Sequence, residues 1–174
     1  MDKSHIIIVD DDERFANTLL GILRQEGFGV SYASDGNQAL TLVQTQAPDV
    51  ILLDVWLPGM DGIEILQTLQ AIGTGVDIIM MSGHGNIATA VKTTKLGASE
   101  YLEKPFSPTH LLYAVRRAVH RRRHYRSACE PPFQPFLAQV LIGDSPQINA
   151  IRRQSVYAST SDQPILIQGE AGSA

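Results

Sequence analysis

Five short apolar runs, recurring at regular intervals and separated by stretches of helical period, constrain this chain more than any other feature. They occupy residues 5–9, 29–33, 49–54, 76–81 and 99–103. Each is too short for a helix and rich in Ile and Val, so each reads as a buried strand. The intervening stretches carry apolar stripes at helical spacing. Phe15, Leu19 and Ile22/Leu23 form the first stripe, with Gly27 placed to end its helix. Ala39, Leu40 and Val43 form the second, halted before Pro48. Ile63, Leu66 and Leu69 form the third, closed by Gly73, and Ile87, Val91 and Leu96 the fourth, closed by Gly97. Ser107-Pro108 supplies a cap and first-turn pair for a fifth, whose stripe is Leu111, Leu112, Val115 and Val119. Strand–helix alternation of this kind implies parallel pairing through right-handed crossovers. The expected fold is an α/β/α three-layer sandwich around a five-stranded parallel sheet, for which the flavodoxin-like order 2-1-3-4-5 is adopted as a common arrangement of doubly wound sheets and is not fixed by the alternation itself. That order opens a crevice between strands 1 and 3 at their carboxyl ends.

Acidic residues close both of those strands. Ile6-Ile7-Ile8-Val9 runs into Asp10-Asp11-Asp12, and Val50-Ile51-Leu52-Leu53 into Asp54. Two carboxylates about 5 Å apart repel by roughly 3 kcal/mol at an effective dielectric near 20. Folding alone gives no reason to gather them, whereas a hard divalent cation such as Mg2+ does. Asp54 could then act as nucleophile on a phosphoryl group. Lys104, at the end of the fifth strand before Pro105, suits neutralisation of the oxygens as a compact point charge. Ser82 ends the fourth strand and offers a hydroxyl at the same edge, where it serves equally well as a helix cap. Asp12 and Glu13 read as acids starting a helix. His84 reads as a loop histidine, Tyr101 as a half-buried core aromatic, and Leu57-Pro58-Gly59-Met60 as a tight turn.

Length and charge narrow the classes further. A chain of 174 residues suits one domain plus a remnant. No apolar run approaches the ~20 residues of a membrane span. The strand that follows Met1-Asp2-Lys3 leaves no room for a signal peptide, and the single Cys129 forms no internal disulfide, so a cytoplasmic location is expected. The first 115 residues sum to −8 and the rest to +4, with six arginines between Arg116 and Arg126. Such a run raises nucleic-acid binding as an alternative. Without interleaved aromatics, a solvated helix extension or linker is the simpler reading. Residues 1–124 are expected to form the main domain, 125–139 a Pro-rich linker, and 140–174 a remnant too small to build its own core.

Val9-Asp10-Asp11, Leu53-Asp54, Pro58-Gly59-Met60-Asp61-Gly62, Ser82-Gly83-His84 and Lys104-Pro105-Phe106 fall in order along residues 5 to about 120. Together they resemble the receiver domain of bacterial two-component response regulators. The resemblance implies that Asp54 is the phosphoacceptor, charged by a sensor histidine kinase. It implies that Asp10, Asp11, Asp54 and the backbone carbonyl of Trp56 hold Mg2+. It also implies that Ser82 and Tyr101 form a switch pair with Lys104 at the phosphate, and that the Lys104–Pro105 bond is cis. Phosphorylation would then alter pairing of two copies through helix 4, strand 5 and helix 5.

The stretches around Ser82 and Lys104 are similar to the NtrC/NtrX-like group, whose members continue into an AAA+ ATPase controlling sigma-54-dependent transcription. Leu141-Ile142-Gly143-Asp144-Ser145 and Ile165-Leu166-Ile167-Gln168-Gly169-Glu170 resemble the opening of that ATPase. Gly169-Glu170-Ala171-Gly172-Ser173-Ala174 lacks the Lys and hydroxyl of a complete phosphate-binding loop. The chain is therefore expected to be no enzyme beyond Mg2+-dependent self-phosphorylation and self-dephosphorylation, and to carry no DNA-binding domain. A metal-dependent phosphatase using Asp54 is the remaining alternative, opposed by Trp56 standing where its second aspartate belongs.

Overall fold

The computed structural model describes residues 4–83 and 87–129, with side chains described up to residue 124. The chain divides into compact units at Met1–His124 and Tyr125–Ala174. In the first, β1 (His5–Val9), β2 (Gly29–Ala33), β3 (Val50–Asp54), β4 (Asp77–Ser82) and β5 (Glu100–Glu103) alternate with helices. These are α1 (Glu13–Gln25), α2 (Gly36–Gln46), α3 (Gly62–Ile72), α4 (Ile87–Lys95) and α5 (Pro108–Cys129). The sheet is wholly parallel in the order β2-β1-β3-β4-β5. The expected architecture is therefore the observed one.

Local chemistry explains the boundaries. The Asp12, Asp35 and Asp61 carboxylates accept from first-turn amides of α1, α2 and α3, meeting donors that have no partner inside the helix. Ser107 Oγ accepts from the His110 amide at 3.2 Å and caps α5. Gly27, Gly73 and Gly97 have positive φ just beyond α1, α3 and α4. Ala47 takes φ 42° at the end of α2, because Pro48 bars further helix.

The strands alternate strictly between two cores. Ile6, Ile8, Val50, Leu52, Ile79, Met81 and Leu102 face α1 and α5. Ile7, Val9, Ile51, Leu53, Ile78 and Met80 face α2 and α3. A sheet covered on both faces needs continuous apolar strands, and a run such as Ile6-Ile7-Ile8-Val9 supplies residues to both. The register Val9↔Leu53 brings the ends of β1 and β3 to one edge. Beyond it, Asp10 and Asp54 emerge side by side.

Three expectations are corrected. On α1 the buried positions are Ala16, Leu19, Leu20 and Leu23, with Phe15 left at the rim. Of the expected α4 stripe only Leu96, just past the helix, packs against the core; Ile87 is 84% exposed and Val91 47% exposed. Thr93 is the buried residue of α4, its hydroxyl donating back to the Thr89 and Ala90 carbonyls. A short helix near the sheet edge rests on a narrow line of contact, which small residues fill better than Ile or Val.

The third correction refines the arginine run: it stays solvent-facing, with the Arg116 and Arg117 side chains 64% and 51% exposed, but its described members are paired within the domain rather than free. Arg116 meets Glu26 at 2.5 Å and Arg117 meets Glu100 at 3.4 Å. Arg121 grips Asp77 with two nitrogens at 2.9 and 3.2 Å. Arg122 donates to the Gly75 and Thr74 carbonyls, and Arg123 to Ser4 Oγ. The basic face of α5 thus fastens the helix across the amino-terminal edge of the sheet. α5 also runs through residues 125–129, into the stretch assigned to the linker. The rest of that linker and the 140–174 remnant lie outside the described residues.

Candidate functional site

At the carboxyl edge of the sheet, one oxygen each from Asp10, Asp11 and Asp54 lies within 4.8 Å of the others. Asp10 and Asp54 are buried and Asp11 is exposed, so the cluster opens to solvent on one side. Asp10 is held by several bonds. Its Oδ1 accepts from the Asp12 amide at 3.0 Å, its carbonyl accepts from the Tyr32 hydroxyl at 3.0 Å, and its amide donates to the Ala33 carbonyl at 3.2 Å. Burial, then the nearby carboxylates, push the Tyr32 phenol up, so it remains a donor.

Lys104 crosses the pocket from β5. Its Nζ lies 2.6 Å from Asp10 Oδ2 and 3.1 Å from Asp54 Oδ2. Its amide donates to the Ser82 carbonyl at 2.8 Å, continuing the β4–β5 ladder and setting the side chain's starting point. The Lys104–Pro105 bond is cis. Beneath the ammonium sits the Phe15 ring, 4.5 Å from Nζ to centroid, braced edge-to-face by Phe106 at 5.6 Å. An ammonium has three donor directions. Two are taken by carboxylates.

The Asp54 carboxyl is held above the usual carboxylate range. Burial is the main cause; Asp10 adds to it and Lys104 opposes it. Asp54 Oδ1 is buried with no hydrogen-bond partner among the described residues. An orphaned carboxylate oxygen beside two other carboxylates, in an all-oxygen donor set, fits a hard divalent cation. The Trp56 carbonyl belongs to the β3–α3 connection two residues past Asp54, and the Trp56 side chain is 66% exposed. Ser82 is fully buried at the end of β4. Tyr101 pairs with Met80 in the sheet and packs partly buried on the α2–α3 side. Its hydroxyl is enclosed, with no partner among the described residues. His84 lies outside them.

Three contributors escape a reading of the sequence. Gly62, first residue of α3, has no room for a side chain: an added Cβ would overlap the Asp54 carbonyl oxygen and lie 3.0 Å from Val55 Cα. Its amide donates to the Val55 carbonyl at 3.0 Å, tying α3 against the end of β3. The Asp61-Gly62 pair hints at a turn, but only the fold shows what presses on it. Phe15 and Tyr32 carry no local signal at all, because their partners Lys104 and Asp10 are distant in sequence.

The acidic, lysine-bridged pocket sits at the topological switch point of a doubly wound parallel sheet, where such sheets bind their ligands. Residues 6–116 match the response regulator receiver domain, and the chain belongs to that family. It is 35% identical over 170 residues to the nitrogen assimilation regulatory protein NtrX of Azorhizobium caulinodans, covering 97% of this chain and 37% of that protein. The crystal structure of the NtrX receiver domain from Brucella abortus superimposes with a TM-score of 0.64 at 36% identity, covering 66% of this chain and 98% of that one. A longer NtrX structure from the same organism gives 0.70 at 31% identity, covering 88% and 34%. The chain thus spans little more than a third of the length of these longer relatives. No helix among the described residues is long and apolar enough to cross a membrane.

Proposed function

We propose that Asp54 accepts a phosphoryl group from a phosphohistidine of a sensor kinase. The observation that carries this reading is the bridging of Asp10 and Asp54 by Lys104, beside a buried Asp54 oxygen that lacks a partner. The Asp54 carboxylate attacks phosphorus while the donor's P–N bond breaks. The bonding pair leaves with the imidazole nitrogen, which takes a proton from solvent. Asp10, Asp11, Asp54 and the Trp56 carbonyl would hold Mg2+. When bound, the ion supplies positive charge for the carboxylates and for the oxygens of the group in transfer.

Lys104 orients Asp54 beforehand and turns its third N–H to a phosphoryl oxygen. The Ser82 hydroxyl approaches the same group. Tyr101, its hydroxyl already enclosed, follows into the space that Ser82 leaves. This movement would reshape α4, β5 and α5, including the exposed Ile87 and Val91, and strengthen pairing with a second copy. In the larger protein of which relatives are examples, residues 140–174 would begin an AAA+ module acting on sigma-54-dependent transcription. The setting would be the cytoplasm.

The test is incubation with a small acyl phosphate and Mg2+, followed by peptide mass spectrometry. The expected label is on Asp54, absent without divalent cation and absent in Asp54→Ala. A label on any other residue, or one formed equally well in chelator, refutes the proposal.

A further inference from the structure

Away from the aspartate pocket, α5 carries a second cluster of metal-ligating side chains. His120 and His124 are one turn apart, so their side chains rise on the same face of the helix. Both are exposed, because the opposite face of α5 is the one packed on the sheet through Leu111, Ala114, Val115, Ala118 and Val119. Their Nε2 atoms lie 3.0 Å apart in a hydrogen bond whose donor depends on the tautomers, with ring centroids 4.2 Å apart and planes inclined at 63°; a metal would replace the shared proton, with both rings protonated at Nδ1. Neutral imidazole nitrogen is a common ligand for late transition metals. We propose that His120 and His124 form a bidentate site for a divalent transition metal with a right-angled coordination preference, Cu2+ first.

The distance selects the class of ion. With metal–nitrogen bonds of about 2.0–2.1 Å, nitrogens 3.0 Å apart subtend about 91–97° at the metal. That is the cis angle of a tetragonal or octahedral centre, as Cu2+ and Ni2+ adopt. A tetrahedral Zn2+ would need the two rings spread apart by about 0.4 Å. Mg2+ is excluded by its demand for oxygen ligands, so the two sites sort hard from borderline ions. Waters would complete the coordination on the solvent side.

The surrounding arginines do not forbid it. Arg116, Arg117 and Arg121 flank His120, yet each guanidinium is drawn to a carboxylate, on Glu26, Glu100 and Asp77 respectively. Those three positive charges are therefore paired, while Arg122 and Arg123 are turned to neutral groups, the Gly75 and Thr74 carbonyls and Ser4 Oγ.

Cu2+ titration of the full chain in excess Mg2+, followed by electron paramagnetic resonance, tests the site. One equivalent should bind with couplings from two nitrogens. His120→Ala and His124→Ala should each reduce this to one nitrogen. Each should also weaken binding by at least the roughly 10- to 100-fold that loss of even an outer partner costs. His110→Ala, an exposed histidine at the start of the same helix, should change nothing. All three positions are exposed, and circular dichroism verifies that the fold is kept. Cu2+ affinity unchanged in both variants, or a spectrum of oxygen donors alone, overturns the proposal.

Discussion

Replacing Lys104 with methionine removes one cation from between two buried carboxylates while keeping much of the stem that packs on Phe15. At an effective dielectric near 20, contacts of 2.6 and 3.1 Å are worth about 6 and 5 kcal/mol gross. The Asp10–Asp54 repulsion left behind is at least about 3.5 kcal/mol for oxygens within 4.8 Å of each other. Much of the gross attraction is offset by the cost of drying the ammonium, whose side chain is only 17% exposed. Removing one partner of a buried pair typically costs about 3–5 kcal/mol. For a domain of this size that lowers Tm by about 10–20 °C.

The deficit depends on pH with a definite sign. Burial already holds the Asp54 carboxyl above its unfolded value, and Lys104 pulls it down. Losing the lysine raises it further. A carboxyl with a raised folded pKa favours the native state below its unfolded pKa, and that contribution disappears as pH climbs through the folded one. The variant should therefore fall further behind the parent as pH rises from about 4 toward neutrality.

Mg2+ should narrow the gap, because the more negative pocket binds it more tightly. An ion present at 100 times its Kd stabilises by about 2.7 kcal/mol. Calorimetric melts of both proteins, in chelator and in Mg2+ across this pH range, make the measurement. Equal Tm values in chelator, or a Mg2+ response no larger in Lys104→Met than in the parent, would refute the electrostatic account of the pocket.

Gly62→Ala should destabilise the domain by at least about 1–3 kcal/mol in urea melts, since backbone rather than a flexible side chain blocks the new methyl. The same substitution should slow labelling of Asp54 by shifting its strand end. Trp56 fluorescence should respond to Mg2+ and to beryllofluoride, because the exposed indole is two residues from Asp54. Asp54→Ala should abolish the beryllofluoride response. Arg121→Ala should cost about 1–2 kcal/mol, since it removes the cationic partner of the largely buried Asp77 and leaves that carboxylate only the Ser99 hydroxyl as a side-chain partner among the described residues. Neither it nor the parent is expected to shift DNA in a gel at physiological salt.

Much of the fold is legible in the chain because its signals are local. Ile6-Ile7-Ile8-Val9 is short, β-branched and apolar throughout, as a strand covered on both faces must be, and Asp12 marks a helix start by chemistry confined to a few residues. Observed strands begin and end within a residue of the apolar runs that announce them. Errors arise where a choice of face depends on what lies opposite. Ile87 and Val91 have helical spacing, but nothing in that spacing says that Thr93 lies on the buried side. The arginines from Arg116 to Arg123 read as free charge until Glu26, Asp77, Glu100, Ser4 and the Thr74–Gly75 carbonyls come to meet them. Those partners lie tens of residues away.

The sequence by itself determined the alternation of strands and helices, and with it which carboxylates stand at strand ends. Periodicity and capping need only neighbours along the chain. Tertiary structure alone decided that Lys104 spans Asp10 and Asp54, that Phe15 underlies the ammonium, and that Gly62 abuts the Asp54 backbone. Each of these follows from parallel register and helix docking, which set distances between residues that share no local signal.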